Sequence, residues 1–365
     1  LAINEYIKNI QQEISNGKSY EEYVYLFEEY KKYLESIIEQ NPSDITAVCQ
    51  YAAVLMELRY SSDDSIKIME ETLSQFENEL ANSEKVRLYT NLAFFYDENG
   101  NEDKQIAFLE KAVNLKHDTP NAYDALAVCI TTKARCINTT SAFTVALPLF
   151  EQAARLSNEF RYQYNYATAL YIAGNIAKAK NIFEKLYHQD NKNKNAIYGL
   201  GVCSYYLDNT KTALEMANLL ANIDTDDEVD EFQIAELFYL CGDYANHNAM
   251  FDNCKIQYYY DVSWLAPYFY SLRALGKDSE LLQKYKEVVR SKTEEIKDAK
   301  AEELDDSYTV ENRNEYVAKL QKEFYDIEEA YRKIIRENDK PELSPKLYFV
   351  YGCYLIDCPR HQRVL

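Results

Sequence analysis

Apolar positions recur along most of this chain at the three-and-four step of amphipathic helices. Residues 20 to 40 show it plainly. Tyr23, Leu26, Phe27, Tyr30, Leu34 and Ile37 share one face, Asn41-Pro42 stops the helix, and Asp44 is placed to cap the next. With residues 1 to 15 this segment predicts an N-terminal hairpin. Near the other end, Leu281 to Leu304 predicts one long helix whose Lys and Glu residues sit at helical spacing, the mark of a solvated face. A polar break over 305 to 312 follows. Tyr316, Leu320, Phe324, Ile327, Tyr331 and Ile334 then form a stripe that predicts a second long helix, antiparallel to the first. A partner-binding or dimerising coiled coil is the alternative use of that stripe. Pro341 and Pro345 mark a turn. Beyond it Ser344 to about Asp357 is predicted as a last helix, packing Tyr348, Phe349, Tyr351 and Tyr354 under the long pair.

Between these ends the chain repeats itself. Turn positions fall 34 residues apart at Gly174, Asp208, Gly242 and Gly276. Small residues keep the same interval at Ala167, Gly201 and Ala235, as do Ala179 and Ala213, Phe183 to Ala217 to Phe251, and Leu186 and Leu220. Less regular units precede them, one with Leu92-Ala93, Tyr96, Gly100, Leu109 and Ala112. The next carries Leu126-Ala127 and resumes at Ala146, Phe150 and Ala153, so an insertion lies near 131 to 145. Small residues on facing helices let two backbones approach, and the large ones fill the space beside the neighbouring repeat.

The residues in these columns resemble the tetratricopeptide repeat, a helix–turn–helix unit of about 34 residues. The resemblance covers roughly 44 to 290. It implies an all-α, right-handed superhelical solenoid of about six to seven TPR-like hairpins. Residues 1 to 43 would then be capping helices, and 291 to 365 C-terminal long helices with a capping helix. The sequence departs from the family pattern where Gln105 and His247 replace the small Ala of the second helix.

In that family the first helix of each repeat lines a concave groove. Carried onto this chain, the fifth position gives Tyr164, Tyr198 and Phe232, and the twelfth gives Tyr171, Tyr205 and Tyr239. Two aromatic tracks along a groove would suit an extended peptide, because rigid rings offer apolar area at small entropic cost. With 34 Tyr in the chain, plain repeat packing is the competing account of those rings. Arg161 and Asn165 occupy the second and sixth positions, as do Arg87 and Asn91. The resemblance assigns such residues to a peptide's carboxylate or backbone. Asn121 and Ala125, and Asn195 and Gly199, stand where a full carboxylate clamp of chaperone-binding relatives would need further cations.

Composition narrows the function. Only 8 Gly and 7 Pro argue against a turn-rich β fold, and a net charge of −20 opposes binding to nucleic acid or to anionic membranes while remaining compatible with a basic partner. Of the 8 Cys, Cys129, Cys203, Cys241 and Cys254 fall in predicted helices as small hydrophobes. That usage, with no long apolar span and no signal-peptide pattern, points to a cytoplasmic protein. The chain begins at Leu1, as a processed or excised polypeptide does, leaving room for a domain ahead of it. No phosphate loop, nucleophile elbow or histidine pair is present, and the expectation is no catalysis, no cofactor and no metal. Cys353, Cys358 and His361 lack a fourth ligand and read as ordinary side chains. The function expected is an adaptor or scaffold holding a peptide or extended protein segment in the groove. The alternatives are a peptide-sensing regulator resembling bacterial pheromone receptors without their N-terminal domain, and a non-catalytic subunit of an enzyme complex.

Overall fold

A computed structural model describes residues 2–132, 140–223, 231–253, 261–303 and 308–361. Those residues form helices and no strand. They divide into two compact units, one of Leu1–Gly174 with Tyr348–Leu365, the other of Asn175–Leu347.

The first unit contains α1 (Ala2–Ser15), α2 (Tyr20–Gln40), α3 (Ile45–Glu57), α4 (Ser62–Phe76), α5 (Asn82–Glu98), α6 (Glu102–Asn114), α7 (Pro120–Thr132), α8 (Thr140–Leu156) and α9 (Phe160–Ile172). Each helix packs on its sequence neighbour, and α3 also touches α5, as α7 touches α9. The odd-numbered helices thus form an inner row. The expected N-terminal hairpin is present: Asp44 caps α3 by accepting from Ala47 N, and Tyr23, Phe27, Tyr30 and Leu34 are buried. Residues 133–139 of the insertion near 131 to 145 lie outside the described residues.

The second unit contains α10 (Ile176–Gln189), α11 (Lys194–Tyr206), α12 (Thr210–Ala221), α13 (Glu231–Leu240), α14 (Tyr244–Asn253), α15 (Val262–Ala274), α16 (Asp278–Ala301) and α17 (Val310–Glu337). The small columns behave as the spacing predicts. Ala179, Ala213 and Ala235 are buried, and a Cβ on Gly201 would come 2.7 Å from Leu237 Cδ2. All four evenly spaced turn residues adopt left-handed backbone, with φ of 79° at Gly174, 58° at Asp208, 80° at Gly242 and 71° at Gly276. One backbone demand therefore explains the whole column, since that region is open to glycine and tolerated by aspartate.

The long pair α16 and α17 runs antiparallel. Tyr285 stacks on Tyr331 with centroids 3.8 Å apart, while Lys292 further along bonds Glu323 at 2.7 Å. Leu320, Ile327 and Ile334 are buried, so much of the α17 stripe is used within the chain. Cys203 and Cys129 are buried as expected; Cys241 instead sits half-exposed at the turn after α13, and Cys254 lies outside the described residues.

His247, the departure in the second-helix column, is buried on α14. Its Nδ1 lies 2.9 Å from Ala235 O, and burial pushes its pKa down to about 4. The folded chain therefore keeps it neutral, whereas the unfolded chain protonates it near 6.5. The stabilisation is present above that value and is lost as pH falls from 6.5 towards 4, by about 2–3 kcal/mol. Trp264, the single tryptophan, packs on Phe232 in the same unit and reports its unfolding. Urea midpoints followed by its fluorescence should drop over that pH window in wild type, and less steeply in His247→Gln. Equal slopes would assign the acid sensitivity elsewhere.

The largest departure from expectation is the C-terminal segment. Ser344 to Asp357 is not a helix; residues 338–355 have no regular secondary structure. Burial alternates instead, with Pro345, Leu347 and Phe349 inside and Lys346 and Tyr348 exposed, the two-residue period of extended chain. The cause is legible in the composition. Pro341, Pro345 and Pro359 each lack an amide donor, and the aromatic and β-branched residues between them favour extended backbone.

A groove occupied by an extended segment

An extended backbone that forms no ladder needs other hydrogen-bond partners. Residues 348–361 find them on the inner row of the first unit. Asn165, fully buried on α9, accepts from Val350 N at 2.8 Å through Oδ1 and donates to Val350 O at 3.0 Å through Nδ2. Its side-chain amide stands in for a neighbouring strand. Asn91, fully buried on α5, repeats the arrangement in part: Oδ1 accepts from Ile356 N at 2.9 Å while Nδ2 donates to Asp357 Oδ2 at 2.7 Å. Between them Arg161 Nη1 donates to Cys353 O at 3.0 Å and Asn121 Nδ2 to Tyr354 O at 3.3 Å. Gly352 makes room, because a Cβ there would collide with the Arg161 guanidinium. Gln11 Nε2 donates to Pro359 O at 3.0 Å and closes the series.

Side chains of the segment enter their own sites. Phe349 stacks on Phe150 of α8 with centroids 4.8 Å apart. The Tyr354 hydroxyl donates to Ala93 O at 3.1 Å and accepts from Gln105 Nε2 at 2.9 Å, and burial raises its pKa. Gln105, the other departure in the second-helix column, is thus spent on the segment. Asp357 is completely buried, and its carboxylate takes both a guanidinium N–H pair from Arg87 and Gln50 Nε2 at 3.0 Å. Arg360 closes on the Glu57 carboxylate, Nε at 2.7 Å and Nη2 at 2.6 Å.

Beside the segment remains a cavity of about 390 Å³, lined by Phe94, Asp97, Asp124, Val128 and Tyr351 among others. Asp124 accepts from Asn165 Nδ2 at 3.0 Å, and burial pushes its pKa up to about 6 despite Arg161 at 3.5 Å.

The fold also gathers Cys353, Cys358 and His361, whose donor atoms lie within 4.8 Å of one another. Cys358 Sγ is 3.2 Å from His361 Nδ1, and a hydrogen bond from the Cys358 thiol holds Cys353 below its ordinary pKa. Among the described residues this group alone has donors placed for a metal ion. Two thiols and an imidazole suit a thiophilic divalent ion with one position open.

The eight residues singled out from the sequence have different fates. Arg161 and Asn165 hold the segment's backbone. In the second unit Tyr239 is buried and donates to Pro341 O at 2.9 Å, with Lys340 Nζ 5.3 Å from its ring centroid. Tyr164, Tyr198 and Phe232 are buried in packing: Tyr164 stacks on Phe160, Tyr198 OH meets Glu236 Oε2 at 3.0 Å, and Phe232 lies against Trp264 and Phe251. Tyr171 and Tyr205 are half-buried. Gln50 and Glu57 were not indicated by the sequence, since a single polar residue on an otherwise apolar helix carries no spacing signal, and Gln105 showed there only as a departure from its column.

No helix among the described residues is long and apolar enough to cross a membrane. No curated protein matches the chain. Solved structures similar at a distance include three tetratricopeptide-type or related chains. YrrB, a TPR protein with an unusual peptide-binding site, is 19% identical over 53% of this chain and 93% of its own, with a TM-score of 0.44. Pseudomonas aeruginosa pilF is 18% identical over 57% and 92%, at 0.43. A tetratricopeptide repeat protein from Parabacteroides merdae is 14% identical over 69% and 99%, at 0.44. The profile of the tetratricopeptide repeat family matches residues 170–233. The match identifies residues 170–233 as tetratricopeptide repeat, and within each unit the described helices pack neighbour on neighbour as an all-α array.

Proposed function

We propose that the inner row of the first unit is a binding groove for an extended peptide or protein segment, and that the chain acts as a non-catalytic adaptor. The observation that carries this reading is the pair of buried asparagines. Asn165 spends both ends of its amide, and Asn91 its amide oxygen, on the backbone of an extended segment, the recognition chemistry of an added strand achieved from helix side chains. Arg161 and Asn121 add bonds to the carbonyls between them. Backbone recognition of this kind does not depend on the segment being tethered.

A peptide-sensing regulator is the second reading, favoured by the groove's occupancy by the chain's own C-terminal segment. An incoming ligand has to displace that segment, and the displacement is a change an effector can read.

An array of 14-residue peptides of varied sequence, probed with the full chain and with an Asn91→Ala, Asn165→Ala variant, tests the groove. Peptides retained by wild type should lose about tenfold or more in affinity with the variant, since each lost amide leaves a buried backbone group unpaired. Retention of the same peptides by both proteins, with the fold intact by circular dichroism, would remove the groove from the account.

A further inference from the structure

Resting on that reading, we infer that the groove selects a ligand by three side chains at steps of three, aromatic-x-x-Asp-x-x-Arg, and that the chain's own Tyr354, Asp357 and Arg360 form a competing internal copy.

Backbone clamps hold any extended chain; the side-chain sites decide which one. Three of these sites are polar and specific. The first takes a phenol between Gln105 and the Ala93 carbonyl. The second takes a carboxylate at zero exposure between Arg87, Gln50 and Asn91. The third takes a guanidinium on Glu57 and Tyr23. The second and third sites have opposite sign. A ligand slipped by three residues would put its Asp against Glu57 or its Arg against Arg87, so the charge order fixes the register as well as the sequence.

The middle site demands an anion most strongly. Arg87 is three-quarters covered, with 24% of its side chain exposed, and its other terminal nitrogen is committed to Thr46 Oγ1 at 2.7 Å. When Asp357 leaves, a largely desolvated guanidinium remains without its carboxylate, and a ligand Asp restores the pair. A chain of net charge −20 therefore takes an acidic residue at the centre of this groove, against the overall field that favours a basic partner. The tethered segment is present at an effective concentration in the millimolar range, so it masks the groove from dilute ligands. Binding in trans is gated by whatever loosens the segment.

The test uses the full chain. A fluorescein-labelled peptide copying residues 348–361, with Cys353→Ser and Cys358→Ser, is titrated by anisotropy against wild type and against two weakened chains. One chain is Tyr354→Ala, Asp357→Ala; the other is Arg360→Glu, an exposed position whose reversal opposes Glu57 without emptying the core. Both weakened chains should bind the peptide at least about tenfold more tightly than wild type. Peptides carrying Asp357→Ala or Arg360→Glu should lose about tenfold on the weakened chains. Equal binding of altered and unaltered peptides would overturn the motif while leaving the groove in place. Equal binding by wild type and weakened chains would overturn the internal competition. No binding of any peptide by either folded, weakened chain would remove the groove reading itself.

Discussion

Replacing Arg87 by methionine should release the C-terminal segment from the first unit at a cost of about 3–5 kcal/mol, the penalty for breaking a buried ion pair from one side. The partner left behind is Asp357, which has no exposed surface and would keep only Gln50 and Asn91 as donors. Two neutral amides do not replace a guanidinium that meets the carboxylate with two N–H groups. Methionine retains most of the packing of the arginine stem, so the loss is electrostatic rather than a cavity. The readout is local, because the segment can leave without the helices unfolding. Hydrogen exchange over residues 348–361 should accelerate by about 100- to 4000-fold, since the Val350 and Ile356 amides are held only while the segment is docked. Adding Asp357→Asn to Arg87→Met should restore much of the protection, as a neutral amide tolerates the site. Unchanged exchange in Arg87→Met would mean the pair contributes nothing to docking. The double variant separates that result from general damage to α5.

How much of this was legible in the sequence depends on the distance over which each feature is determined. The repeat columns were, because each is a local backbone or packing demand met again 34 residues later. Gly174, Asp208, Gly242 and Gly276 share one left-handed turn, and Ala179 and Ala213 share one close approach. The Arg-x-x-x-Asn pairs at 87/91 and 161/165 were also visible, as one turn of helix places both on a single face. The aromatic tracks misled in part. Tyr164, Tyr198 and Phe232 have the spacing of a groove lining, yet they are buried in helix packing. Spacing places a ring on a face and cannot say whether the neighbouring helix covers it.

The C-terminal segment failed for a different reason. Leu347 to Ile356 is a short apolar run, and such runs read equally as helix or as extended chain. What decides between them is far away in sequence. Asn165 is 185 residues from Val350, and Asn91 is 265 from Ile356. No local pattern carries that pairing. Gln105 is instructive in the same way: it breaks the family's small-residue column because it is committed to Tyr354, 249 residues away. A departure from a repeat was therefore the trace, in the sequence, of a contact outside it.

Gly199 is a departure of another sort, and it supports the largest effect expected in the second unit. It stands where a clamp residue would otherwise be, and its reason is steric: a Cβ there would lie 2.7 Å from Cδ1 and Cε1 of Phe183. Phe183 is fully buried on α10 and fills the space between α10 and α11. Phe183→Ala should cost about 3–5 kcal/mol, transfer and cavity together. Gly199→Ala alone should cost about 1–3 kcal/mol, because the ring has to move in a close-packed interior. The two costs should not add. With the ring gone the new methyl enters the vacated space, so the double variant should be more stable than the sum by about 1–2 kcal/mol. Urea unfolding followed by Trp264 fluorescence measures all three chains in the unit where they act. Strict additivity would show that Phe183 and Gly199 do not share that space, and glycine in the middle of α11 would then be a plain loss of helix propensity of about 1 kcal/mol, one that alanine should recover rather than worsen. The sign of the Gly199→Ala effect alone therefore separates a glycine required by its neighbour from one merely tolerated by the helix.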